Sequence, residues 1–120
     1  IAYLFGADLT IQKAMIAKSV TAPIAMGVAE RIGASPTLTA VFAVTTGVLG
    51  AITARYVLDA MRLTEWWQRG FAIGVASHGI GTSRALSVNA EAGAFAGLAM
   101  GLHGIAGAVL LPLLPRWLPA

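Results

Sequence analysis

Two short clusters hold the side chains best suited to meet a small solute: Lys18, Ser19 and Thr21 just before Pro23, and His78, Thr82, Ser83 and Arg84 around Gly79 and Gly81. Each cluster combines one cation with hydroxyls at the expected start of a helical stretch. A helix start adds uncovered N–H donors and the positive end of the peptide dipoles. The pattern suits a small organic anion. Its carboxylate would be held by backbone amides at Thr21 and Thr82, by the hydroxyls of Ser19, Thr21, Thr82 and Ser83, and by Lys18 or Arg84 as counter-charge. The plainer alternative is that Lys18 and Arg84 snorkel toward lipid headgroups from the ends of short segments. His78 is placed to donate to a ligand or carry a proton, or else to bridge exposed backbone. His103 lies in the middle of a long apolar run, where an ionisable group is either functional or bonded across to a hydroxyl or carbonyl. Glu30 and Glu91 are candidates for coupling to a cation or for pairing with a base such as Arg31. The two histidines are too few and too far apart for a metal site, no cofactor is implied, and no nucleophile, base and orienting group stand together. The chain does not read as an enzyme.

The elements that must position these residues follow from the spacing of charge. Of 120 residues, 58% are hydrophobic and 11% charged, against about 25% charged in soluble domains. Between Arg31 and Arg55 lie 23 uncharged residues, and between Glu91 and Arg116 lie 24. Each run is long enough to cross a bilayer, which takes about 20. Only 11 uncharged residues separate Lys18 from Glu30, and only 14 separate Arg69 from Arg84. These two segments are partial, and each carries a breaking centre, at residues 18–23 and 77–83. Pro23 fits a first helical turn with Thr21 or Ala22 near the N-cap, and Thr82 or Ser83 is placed to cap a second half-helix. Irregular backbone at membrane depth must be sheltered by protein or line a wet cavity.

The predicted fold class is therefore all-α integral membrane, with two full transmembrane helices alternating with two broken helical segments. The two halves echo one another. Thr21 and Glu30 are nine apart, as are Thr82 and Glu91, and Thr46-Gly47-Val48-Leu49-Gly50 parallels His103-Gly104-Ile105-Ala106-Gly107. The implied units are residues 8–58 and 70–115, joined by an interfacial linker at 59–69 whose Trp66 and Trp67 anchor at the headgroups. If each broken segment is a re-entrant hairpin, the units are inverted repeats, as in transporters. If each crosses fully, the arginines fall on one side and satisfy the positive-inside rule better. Gly93, Gly97, Gly101, Gly104 and Gly107, like Gly47 and Gly50, are explained by close helix packing. Pro112, Pro115, Arg116 and Trp117 close the last span at the interface. The scattered basic residues argue against nucleic acid, and the abrupt apolar opening at Ile1, with nothing basic before Lys13, suggests a fragment without a signal peptide.

The strings Lys18-Ser19-Val20-Thr21-Ala22-Pro23, Ser35-Pro36-Thr37-Leu38 with Thr46-Gly47-Val48-Leu49-Gly50-Ala51, Ser77-His78-Gly79-Ile80-Gly81-Thr82-Ser83-Arg84 and Glu91-Ala92-Gly93-Ala94-Phe95 resemble the LrgB/CidB family from about Ala14 to Pro112. The resemblance implies the C-terminal half of a protein in the bacterial cytoplasmic membrane. It also implies a homo-oligomer and a small LrgA/CidA-like membrane partner. Its relatives include a plastidal glycolate/glycerate transporter and bacterial members linked to pyruvate. The expected function is elevator-like secondary transport of small monocarboxylates such as glycolate, glycerate, lactate or pyruvate. The alternative is holin- or antiholin-like control of murein hydrolase export and lysis. Ala22, where Thr is expected, and His103, where a small polar residue is expected, depart from the pattern.

Overall fold

The computed structural model describes residues 4–113 and holds five helices: α1 (Leu9–Ile16), α2 (Ala22–Arg31), α3 (Pro36–Ala60), α4 (Trp66–Val88) and α5 (Ala90–Leu110). The expected interfacial close at Pro115, Arg116 and Trp117 lies outside the described residues, as does Ile1. Two apolar helical stretches, Pro36–Ala60 of 25 residues and Ala90–Leu113 of 24, are long enough to cross a membrane. Only 17% and 22% of their most apolar windows are buried within the protein, so most of that surface faces outward. Water would penalise such a surface and lipid would not.

Local chemistry sets most of the helix ends. Ser35 accepts a hydrogen bond from the Leu38 amide and precedes Pro36 at the head of α3, while Asn89 accepts from Ala92 at the head of α5. Gly33, at φ 67°, ends α2 with the Ala34 amide donating to the Ala29 carbonyl, a left-handed close that glycine adopts without strain. At the end of α3 the same close is made by Arg62, at φ 58°. Asp59 and Arg69 then hold the connection to α4: Arg69 Nη1 donates to Asp59 Oδ1 at 2.6 Å and to the Leu63 carbonyl at 2.9 Å.

The two broken segments differ. The first is an open interruption at residues 17–21 between α1 and α2. Thr21 stands at the N-cap of α2 with no side-chain capping bond, and Pro23 sits in the first turn. The second is a single residue, His78, at φ 39° and ψ −129° within α4. The seven-residue break expected over 77–83 therefore contracts to one position. Thr82 and Ser83 lie inside the second half-helix, not at its cap, because helical backbone resumes directly after His78.

At His78 the chain folds back. A Cβ on Gly81 would lie 2.7 Å from Ile73 Cγ2 and 3.1 Å from the Ile73 carbonyl oxygen. In a straight helix residues eight apart stand about 12 Å apart. The outgoing half runs alongside α5 in the same direction: Gly70 abuts the Ala92 carbonyl, Gly74 that of Ala96, and Val75 reaches His103. The returning half runs the other way, with Thr82 at Met100 and Leu86 at Gly93. Lipid is as apolar as a leucine side chain, so these contacts are held by dispersion between closely approached backbones, which is what small residues permit.

Each break rests on the glycine pair of the other half. Val20, fully buried, lies where a Cβ on Gly107 would project, and Ile24 lies against Gly104. His78 lies against Gly47, and Ser77 against Gly50. Ala17, Val20, Ala25, Val28 and Ala43 form one core cluster, and Ala85, Ala92 and Ala96 form another.

Candidate functional site

The fold-back is where backbone geometry and polar chemistry coincide. A side chain at positive φ with strongly negative ψ is strained, and such backbone normally belongs to glycine. Here the strained residue is His78, although Gly79 follows it. Its ring finds room because Gly47 of α3 has no side chain: a Cβ there would stand 2.7 Å from His78 Cε1 and 3.3 Å from Nδ1. Gly50, one turn on, leaves room for the Ser77 hydroxyl.

Ser77 is fully buried and His78 is 3% exposed. Ser77 Oγ and His78 Nε2 make no hydrogen bond among the described residues. A buried polar atom without a partner costs about 1–3 kcal/mol. Two such atoms on adjacent residues lie buried at the fold-back itself, Ser77 closing the outgoing half and His78 making the turn. Behind them, His103 Nδ1 lies 3.1 Å from the Val75 carbonyl oxygen and donates to it when protonated there. His103 thus braces the last turn before the fold-back.

The other predicted residues fall in two further places. Lys18, Ser19 and Thr21 are half-buried at the first break, where Lys18 Nζ donates to Ser19 Oγ at 3.3 Å. Ser83 and Arg84 are exposed and line an open groove of about 1140 Å³ with Arg55, Asp59 and Trp66. Thr82 is buried, with its hydroxyl 3.8 Å from Met100 Sδ. Glu30 and Glu91 are exposed and form no ion pair among the described residues. Neither Lys18 nor His78 lines the groove that holds Arg84.

Sequence reasoning placed His78 in the site but passed over Ser77, and it read Gly47 and Gly50 as generic packing. The signal that could have found them was the echo between Thr46-Gly47-Val48-Leu49-Gly50 and His103-Gly104-Ile105-Ala106-Gly107. Each of the two glycine pairs leaves room for a side chain from another helix or loop.

Residues 1–117 match the LrgB-like family. The chain belongs to that family. Among curated relatives, it is 33% identical over 110 residues to the holin-like protein CidB of Staphylococcus aureus (strain Mu50), covering 92% of this chain and 48% of that protein. It is 32% identical over 111 residues to the holin-like protein CidB of Staphylococcus epidermidis (strain RP62A), with the same two coverages of 92% and 48%. It is 37% identical over 91 residues to the uncharacterized protein YwbG of Bacillus subtilis, covering 76% of this chain and 40% of that one. The chain thus spans about half the length of the curated relatives it matches. No solved structure matches it. Membership in the LrgB-like family and the two long apolar helices make this a membrane protein.

Proposed function

We propose that this LrgB-like chain is part of a holin-like membrane protein that controls passage across the bilayer and, through it, murein hydrolase activity and lysis. The observation that carries the proposal is the 33% identity to a holin-like protein over 92% of the chain. The outward apolar faces of α3 and α5 agree with it, since holin-like action rests on helices that associate within the membrane.

A second reading is carriage of a small monocarboxylate, and one feature favours it: the buried Ser77 Oγ and His78 Nε2 at the fold-back, which have no hydrogen-bond partner among the described residues. An assembly of plain spanning helices has no use for them. If α5 crosses the bilayer, the tip that meets Met100 and His103 stands ten to thirteen residues along it. That is about 15–20 Å at 1.5 Å per residue, close to the midplane of a hydrocarbon core about 30 Å thick. On this reading α4 is re-entrant, and the crossed seating of each break on the other half's glycines is the trace of an inverted repeat.

One experiment separates the two. Liposomes carrying the intact protein are loaded with a large dye, and entry of labelled pyruvate or glycolate is followed outside to inside. Dye loss together with unselective entry of acids supports the holin-like reading. Saturable entry of one acid with full dye retention overturns it in favour of the carrier.

A further inference from the structure

The groove that holds Arg84 was not anticipated as a unit from the sequence. Its walls are the end of α3, with Arg55, Tyr56 and Asp59, the start of α4, with Trp66 and Arg69, and the returning half of α4, with Ser83, Arg84 and Ser87. Three guanidiniums face one carboxylate. Asp59 is already engaged by Arg69 at 2.6 Å and lies 3.8 Å from Arg55, and Arg84 has no carboxylate within ion-pair range among the described residues. The rim therefore carries excess positive charge. The floor is apolar, formed by Val48, Ile52, Ile73 and Ile80. At about 1140 Å³ the groove exceeds the roughly 300–1,000 Å³ that encloses a drug-sized ligand. A two- or three-carbon acid would leave it almost empty.

Tyr56 and Trp66 on the rim suit a position at headgroup level, where aromatic side chains with one polar edge gather. Trp66 is further held under Arg69, whose Cζ lies 5.9 Å from the ring centroid. A basic rim at the membrane surface above an apolar channel between helices matches the two ends of one kind of molecule. We infer that this groove holds an anionic phospholipid, its phosphate on the Arg84 and Arg55 guanidiniums and one acyl chain along Ile52, Ile73 and Ile80. Guanidinium forks pair with phosphate oxygens two at a time, which gives preference for a phosphate over a diffuse anion. The zwitterionic headgroup of phosphatidylcholine carries its own cation into the same basic rim and is disfavoured.

The test is lipid retention by the whole purified protein in mixed micelles of phosphatidylglycerol and phosphatidylcholine at equal amounts, read by native mass spectrometry. The expected result is preferential retention of phosphatidylglycerol, falling about fivefold for each of Arg55→Gln and Arg84→Gln. Arg31→Gln and Arg62→Gln, made singly, each remove the same charge outside the groove and are expected to keep the preference. Arg84→Lys keeps the charge without the fork and falls between. Equal retention of both lipids by the wild type overturns the inference, as does equal loss in the control pair. It is also overturned if free glycerol phosphate displaces the lipid at matched concentration, or if photocrosslinking from Ser83 captures another protein segment or a second copy. The readout is binding, so the result stands apart from whether the protein moves a solute.

Discussion

The two breaks are seated alike and built differently. The first puts an apolar side chain, Val20, onto Gly107, takes five residues to turn, and holds none of them at positive φ. The second puts a serine and a histidine onto Gly50 and Gly47, turns at one residue, and leaves two buried polar atoms unpartnered. An apolar tip on a glycine pair is complete once packed. A polar tip in the same kind of seat is not, and natural cores keep such groups where something else must be bound or moved. The contrast is between a break closed by apolar packing and one that leaves buried polar atoms without partners.

The strongest way to break that comparison is to fill the two seats. Gly50→Ala places a methyl where Ser77 Oγ already lies and 3.3 Å from Ser77 Cβ, and is expected to cost about 1–3 kcal/mol. Gly104→Ala meets only Ile24 Cδ1, at 2.8 Å, the free end of a side chain that can rotate away, and is expected to cost under about 1 kcal/mol. Thermal melts of both variants in one detergent check this. Equal losses would erase the distinction between the seats.

The turning residue gives the next largest effect. In a helix interior glycine is worse than alanine by about 1 kcal/mol. At position 78 the order should invert, because alanine keeps the strain of φ 39° and glycine releases it. His78→Gly is expected to melt above His78→Ala, and Ser19 in the first break should show no such inversion when given the same two replacements. The usual order at 78 would mean that the fold-back is unstrained.

Helix starts sharpen the comparison further. Asn89→Ala removes a side chain that caps α5 and should cost about 1 kcal/mol, whereas Thr21→Ala removes a hydroxyl with no capping bond and should cost less than about 0.5 kcal/mol. Denaturant titrations of the pair rank them, and a larger loss at Thr21 would give the first break a polar role. The smallest stability effect is expected at Ser77→Ala. Deleting an unpartnered buried hydroxyl should leave the melting temperature unchanged or slightly raised. On the carrier reading, the same change abolishes saturable flux, so a silent variant in both assays would remove Ser77 from the site.

Much of the fold was legible in the residues. The run between Arg31 and Arg55 and the run after Glu91 marked α3 and α5, because apolar length is a local property. Thr21-Ala22-Pro23 marked a helix start for the same reason. The second break was legible as a region and not as a residue. Gly79 and Gly81 are the local candidates for a left-handed turn, yet His78 makes it, since the opening left by Gly47 lies 31 positions earlier in the chain. Ser83 and Arg84 share the serine and arginine chemistry expected of a small-anion site, but helical phase after the fold-back turns them out to the groove and turns Thr82 inward to Met100.

By itself, then, the sequence determined that the chain is helical and belongs in a membrane, that two of its segments are too short and too polar to resemble the others, and which side chains are available for chemistry. These follow from hydropathy, charge spacing and cap residues, which act over a few turns. Which of those side chains meet was decided only in three dimensions. Glycine pairs in α3 and α5 receive guests from the opposite half of the chain, and a single strained residue reverses α4. Long-range packing thereby separates Lys18, His78 and Arg84 into three different surroundings.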